Sequence, residues 1–234
     1  MKEEIEKDGY FIVKDFITEQ EVKRFRELSD NYFKNYPTLL LDHFHGGRGG
    51  RAVPGWAGIT PELEELNMFH EDSRMLAIAE ELFGEGFVFA EHADLHQNKI
   101  TGWHRDVQDY QHGSGTWPNW DKDFFVIKIC LLLQDHMDND YGLQMDVGSH
   151  RGVAEGNCLY LHSRATDAIV FDQRIRHAGQ DKQYKDEHGQ DRYLITLGYG
   201  LDNIETKKHI AGCRTRQNVQ RAGGGLYVQQ NYQL

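Results

Sequence analysis

Cysteine is scarce in this chain: Cys130, Cys158 and Cys213 are its three, widely spaced and without a CxxC pair. An odd number at such spacing excludes a regular disulfide framework and speaks against a cysteine-based zinc site. It makes a reducing cytoplasm the expected compartment. Long apolar runs are missing as well. No stretch approaches the roughly 20 residues that a membrane-spanning helix needs. The acidic opening Met1-Lys2-Glu3-Glu4-Ile5-Glu6 lacks the apolar core of a secretion signal, so none is expected. No internal period of roughly 20–50 residues recurs, which excludes a solenoid. Positive charge is in deficit, 26 Lys and Arg against 37 Asp and Glu, for a net charge of −11. Duplex DNA and anionic membranes are repelled by that balance, and neither is an expected partner.

What is present is a folded domain. The 234 residues are 39% hydrophobic and 27% charged, enough apolar surface to bury a core. A strand-like run, Gly9 to Val13, comes first. Thr18 with Glu21 forms a capping box that opens a helix whose apolar face is Val22, Phe25 and Leu28. The glycine-rich stretch His43 to Arg51 is irregular by composition, with Arg48 and Arg51 in a loop suited to a lid. Thr60-Pro61 starts another helical turn, and a further helix runs from near Ser73 to Phe83, stopped by Gly84. Short strands then follow at Phe87–Ala90, Ala93–Lys99, Phe124–Leu133, Leu159–Leu161, Ala168–Phe171 and Tyr193–Tyr199. Helices before and many strands after predict a β-sandwich or barrel with helical buttressing: one domain, helical over about 1–85 and β-rich over about 86–200. The extension 201–234 has little periodicity and contains Gly223-Gly224-Gly225; it reads as a surface segment, a lid or a contact between subunits. Oligomeric state stays open.

Among thirteen histidines, position must discriminate. His104-Arg105-Asp106 follows the strand that begins near Ala93, and residues i and i+2 of an extended chain point the same way. An imidazole and a carboxylate so spaced can grip one ion from one side. His177, after the strand Asp167 to Phe171, is the candidate third ligand. Two histidines and one carboxylate leave about three positions open on an octahedral ion, the facial arrangement of iron(II) oxygenases that admit a chelating co-substrate and then O2. Were the co-substrate 2-oxoglutarate, its far carboxylate would need a cation, and Arg192 leads a strand after His177.

Lys128 interrupts the apolar run Phe124 to Cys130, at a sheet edge or turned inward to meet an anion. Arg174 and Arg176 flank the approach to His177, and Trp103, Tyr110, Trp117 and Trp120 cluster around the first ligands. Lys128, Arg176, Trp103 and Arg51 are the candidate substrate residues, and cations near one pocket suit a small anionic metabolite. Two other readings use the same three ligands: a zinc or manganese hydrolase, and a non-enzymatic metal-binding β-domain.

In order, these motifs resemble the phytanoyl-CoA dioxygenase-like family of iron(II)/2-oxoglutarate oxygenases, from about residue 8 to residue 200. The resemblance is carried by Asp8 to Val13 with Phe16 to Val22, and by Asn98-Lys99 before Trp103-His104-Arg105-Asp106 and Tyr110. It continues through Ile129 to Asp135, Gly142 and Gly148-Ser149-His150-Arg151, then Asp167 to Phe171, His177-Ala178-Gly179 and Arg192. It implies a double-stranded β-helix (jelly-roll, cupin-like) core, and a co-substrate pocket in which Lys99 and Gln97 assist Arg192. Because Asp106 retains the carboxylate that halogenating relatives lack, the resemblance also implies hydroxylation or a related oxidation.

Overall fold

The computed structural model describes residues 1–35, 50–55, 61–99, 101–106, 123–137, 142–152, 156–179 and 189–221. The expected features at Arg48, Thr60, Tyr110, Trp117, Trp120 and Gly223 to Gly225 lie outside them.

A short helix α1 (Lys2–Lys7), unforeseen in the sequence, precedes β1 (Tyr10–Val13) and α2 (Glu19–Asn35). The capping box forms as expected: the Glu21 amide donates to Thr18 Oγ1 at 3.1 Å, and Glu21 Oε2 accepts from the Thr18 amide at 2.8 Å. After β2 (Arg51–Pro54), a 3₁₀ turn from Pro61 to Leu63 leads to α3 (Glu64–Asn67) and, after a second such turn, to α4 (Ser73–Phe83). The last of these ends at Gly84, with φ of 73°.

The remaining strands are β3 (Phe87–Phe89), β4 (Asp94–Gln97), β5 (Val126–Leu132), β6 (Gln144–Asp146), β7 (Cys158–Tyr160), β8 (Ala168–Asp172), β9 (His177–Ala178) and β10 (Tyr193–Leu201). They form two antiparallel sheets. One has seven strands in the order β1-β8-β5-β10-β4-β2, with β3 also on β10; the other is β7-β6-β9. This is the expected jelly roll with flanking helices.

Strand alternation divides the core in two. Ile127, Ile129 and Leu131 of β5, Ala168 and Val170 of β8, and Ile195 and Leu197 of β10 pack against the helices through Phe25, Phe33, Met75 and Ile78. The intervening residues, Cys130 and Leu132, Ile169 and Phe171, and Leu194, turn the other way, toward Met145 of the small sheet. The site belongs to this second, inter-sheet space.

Two expectations need correction. The strand from Ala93 ends at Gln97, and His104 instead forms an isolated bridge with His177 at the edge of the small sheet. The described part of the extension folds as a long helix, α5 (Ile204–Arg221), started by Asn203, whose Oδ1 accepts from the Thr206 amide at 2.9 Å. Its buried face is Thr206, His209, Cys213 and Gln217. That stripe has helical spacing but polar composition, so hydrophobic periodicity does not reveal it. Among the described residues no helix is long and apolar enough to cross a membrane.

Candidate metal centre

The His104–His177 bridge brings two distant candidate ligands together. The His104 amide donates to the His177 carbonyl at 2.9 Å, and the His177 amide donates to the His104 carbonyl at 2.8 Å. Their ring centroids are consequently 4.4 Å apart. Asp106, two residues on, projects to the same side: its Oδ1 lies 3.5 Å from His104 Nε2 and 3.7 Å from His177 Nε2. An octahedral ion with bonds of about 2.1 Å separates adjacent ligands by about 3 Å, so a contraction of about half an ångström closes the triad on a cation. Arg105, between the ligands, points away and donates through Nε to the Arg174 carbonyl at 2.9 Å.

Each ring is oriented by its other nitrogen. Nδ1 of His104 donates to the Gly102 carbonyl at 2.7 Å and Nδ1 of His177 to the Ile175 carbonyl at 3.0 Å, which puts both lone pairs on Nε2, facing Asp106. Burial, reinforced by the neighbouring His104, drives the His177 pKa down to about 3 and keeps it in the neutral form that binds metals. Burial opposes ionisation of Asp106, but Lys128, His177 and the His104 hydrogen bond outweigh it and hold the carboxyl well below its ordinary value.

Lys128 is the charged residue the sequence left ambiguous. It occupies the centre of β5, between β8 and β10, and not a sheet edge. Alternation turns it into the inter-sheet space, where Nζ meets Asp106 Oδ2 at 2.7 Å. The anion it meets is the protein's own carboxylate. One oxygen of Asp106 is thereby held by lysine, while the other faces the two histidines.

The other candidates separate. Arg192 is buried two positions before Leu194, hence on the inter-sheet side; its amide donates to Asn98 Oδ1 at 2.9 Å and its guanidinium reaches the Lys99 carbonyl at 3.5 Å. Lys99 follows Asn98, whose φ of 53° breaks strand alternation, and its charge adds to burial in lowering the pKa of His96. Gln97 faces the opposite way, donating to Tyr193 Oη at 2.9 Å and accepting from Arg51 Nε at 2.6 Å. Arg51 begins β2, not a loop; it caps the Phe33 carbonyl at 2.7 Å with its guanidinium 4.7 Å over the Phe33 ring. Arg176 stacks over Trp103 at 4.5 Å, with Asp146 Oδ2 at 3.7 Å.

Several site-facing residues escaped the sequence reading. Asp94 and His96 share the inter-sheet side of β4, and Arg216 of α5 reaches Asp94 Oδ2 at 3.1 Å. The alternation Asp94-Leu95-His96-Gln97 carried the signal, two polar side chains on the face that Leu95 avoids.

No protein-family model matches the chain, and neither does any curated protein sequence. Solved structures do match. HygX from Streptomyces hygroscopicus, determined with nickel and 2-oxoglutarate bound, aligns with a TM-score of 0.62 at 15% identity, over 86% of this chain and 87% of its own. EctD from S. alaskensis, determined with 2-oxoglutarate and 5-hydroxyectoine, gives 0.64 at 16%, over 86% and 74%. AviO1 from Streptomyces viridochromogenes Tue57 gives 0.60 at 15%, over 85% and 92%. At such identities the likeness establishes the fold, a cupin-like double-stranded β-helix.

Proposed function

We propose that this chain is an iron(II)- and 2-oxoglutarate-dependent dioxygenase of the phytanoyl-CoA dioxygenase-like family, which hydroxylates an unactivated C–H bond of a small molecule. The observation that carries this reading is the convergence of His104 Nε2, His177 Nε2 and Asp106 Oδ1 within 3.5–3.7 Å, against the inter-sheet face of β5 through Lys128. Two imidazoles and one carboxylate are a donor set that suits iron(II) and leaves about three positions open. The structural neighbours support it, since HygX was determined with 2-oxoglutarate and nickel or with iron, and EctD with iron.

When bound, iron and 2-oxoglutarate together activate O2, one atom passing to succinate as CO2 is lost and the other to the product. The protein's own residues have definite tasks. His104, Asp106 and His177 hold the ion. Arg192, whose guanidinium reaches the Lys99 carbonyl at 3.5 Å, would pair with the far carboxylate of 2-oxoglutarate, and Lys99 would assist it. Lys128 holds Asp106 to a single ligating oxygen. Gln97, turned to the other face, supports the strand and not the co-substrate. Of the side chains that suggested an anionic substrate, Lys128 is engaged by Asp106, Arg176 by Trp103 and Asp146, and Arg51 by Gln97 and Phe33. The proposal therefore specifies a small molecule and builds no charge preference on those residues.

Succinate formation tests the reading. Under air, the protein with ferrous iron should convert 2-oxoglutarate slowly to succinate, and faster when the right metabolite is added from a screened set. Hydrolysis supported by zinc or manganese, with no succinate formed, would instead identify a hydrolase.

A further inference from the structure

A second trio of metal-ligating side chains stands among the described residues: His92, His209 and Cys213, all buried, with candidate donor atoms within 4.8 Å of one another. It shares no residue with the triad. We propose that these three form a separate binding site for a borderline-soft divalent cation of zinc's chemistry, one that clasps α5 onto the segment joining β3 and β4.

The arrangement arises from the helix. His209 and Cys213 are one turn apart on the buried face of α5, and Cys213 Sγ lies 3.3 Å from His209 Nε2. In a tetrahedral zinc site, bonds of about 2.3 Å to sulfur and 2.0 Å to nitrogen place those two atoms about 3.5 Å apart, so this pair is already at ligand spacing. His92 supplies the third donor from across the boundary. Its Nδ1 donates to Gln173 Oε1 at 3.1 Å, which leaves the lone pair on Nε2 and supplies the carbonyl partner that orients ligating histidines. Gly198 makes room for this: a side chain there would press within 3.1 Å of both His92 and Gln173.

Donor type agrees with the assignment. Burial drives His209 down to about 3, with Arg216 and Lys128 adding to that, and the same three influences push His92 well below its ordinary value, so both rings are neutral. The nearby cations are matched, Arg216 by Asp94 at 3.1 Å and Lys128 by Asp106 at 2.7 Å. Burial pushes the Cys213 thiol up to about 12, so the cation must displace its proton to solvent on binding; it then gains a thiolate, a soft ligand absent from the oxygen-bearing triad. A fourth position remains for water or for Asp94, whose Oδ2 lies 3.7 Å from His92 Nε2. The lack of CxxC spoke against a cysteine zinc site, but here the fold, not local spacing, assembles the ligands.

The test uses the full chain with H104A and H177A, which disable the triad, and cobalt(II) as a spectroscopic probe for zinc. One equivalent should bind with tetrahedral visible bands and near-ultraviolet thiolate-to-cobalt absorption. C213S should abolish that absorption and weaken binding about 100-fold or more, and H209Q, which keeps the thiolate, should weaken binding comparably and so test the site if C213S fails to fold. Zinc should raise the Tm of the triad-disabled protein and leave that of its C213S derivative unchanged. Failure of the triad-disabled protein to take up stoichiometric cobalt, or uptake without thiolate absorption, overturns the proposal whatever the fate of the dioxygenase reading.

Discussion

The two faces of the seven-stranded sheet are made from alternate residues of the same strands, and they differ in where the buried charges lie: the inter-sheet face joins them to an apolar cluster of Leu132, Ile169 and Phe171. On the helix side, β5 presents Ile127, Ile129 and Leu131, β4 presents Leu95, and β10 presents Ile195 and Leu197. On the inter-sheet side, the neighbouring positions are Lys128 and Cys130, Asp94 and His96, and Arg192 and Thr196. A fully buried strand could be apolar on both faces. Here one face supplies hydrophobic stability, while the other carries buried charges that cost folding energy and are tolerated only as matched pairs. Polar residues inside these strands are therefore the ones to test for function, because apolar side chains would satisfy the same buried positions.

The strongest way to break this division is to remove Asp106. Asp106→Ala should weaken iron(II) binding by at least about 100-fold, the upper range for losses of merely supporting residues. It should also destabilise the fold by about 3–5 kcal/mol, because Lys128 is left charged and unmatched in the interior. A titration with metal and a urea melt read the two effects. The double variant Asp106→Leu/Lys128→Met should recover most of the stability and none of the metal binding. Recovery failing would mean that the ion pair supports the fold in a way its 2.7 Å geometry does not convey.

Next in size is the apolar face. Ile129→Ala should cost about 2–5 kcal/mol through the cavity it leaves, with iron affinity per folded molecule unchanged. A shift in metal affinity would show the faces to be coupled. Arg192→Ala should act oppositely, weakening 2-oxoglutarate binding about 10- to 100-fold, the worth of a charge-assisted hydrogen-bonded pair, with a smaller effect on the melt. Equilibrium binding of 2-oxoglutarate to the metal-loaded protein checks this, and unchanged affinity would remove Arg192 from the pocket.

Much of this was legible in the residues, and the misses have physical causes. Capping chemistry located α2, and the Gly84 stop located the end of α4, because those signals are local. His104 and Asp106 could be paired from i, i+2 spacing, but not placed on the small sheet, since His104 bridges to His177, 73 residues further on, and pairing is non-local. The resemblance implies a pocket role for Gln97, yet parity with Leu95 turns it to the helix side, and the positive φ of Asn98 resets the alternation. The polar stripe of α5 was invisible to a search for apolar periodicity, although Asn203 was a readable start.

The smallest effect expected comes from outside both faces, where Arg74 joins Glu21 of α2 to Asp72 ahead of α4 at 2.7 and 2.8 Å. The Arg74 guanidinium, with the Thr18 amide and hydroxyl, lowers the Glu21 pKa from 4.5 to about 2 against the opposing effect of partial burial. A carboxylate whose folded pKa is depressed stabilises the fold above its unfolded pKa, and that contribution disappears as pH falls from about 4.5 toward 2. Roughly a third of each side chain meets solvent, so screening limits the contribution to about 1 kcal/mol. Glu21→Gln keeps a side-chain oxygen for the Thr18 cap while removing the charge. The variant should therefore be about 1 kcal/mol less stable at pH 7 and equal to the parent near pH 2, with iron and 2-oxoglutarate binding unaltered at pH 7. A stability gap that persists at pH 2 would locate its origin in packing and not in charge, and a change in ligand binding would mean that the helical layer reaches through the apolar face to the site.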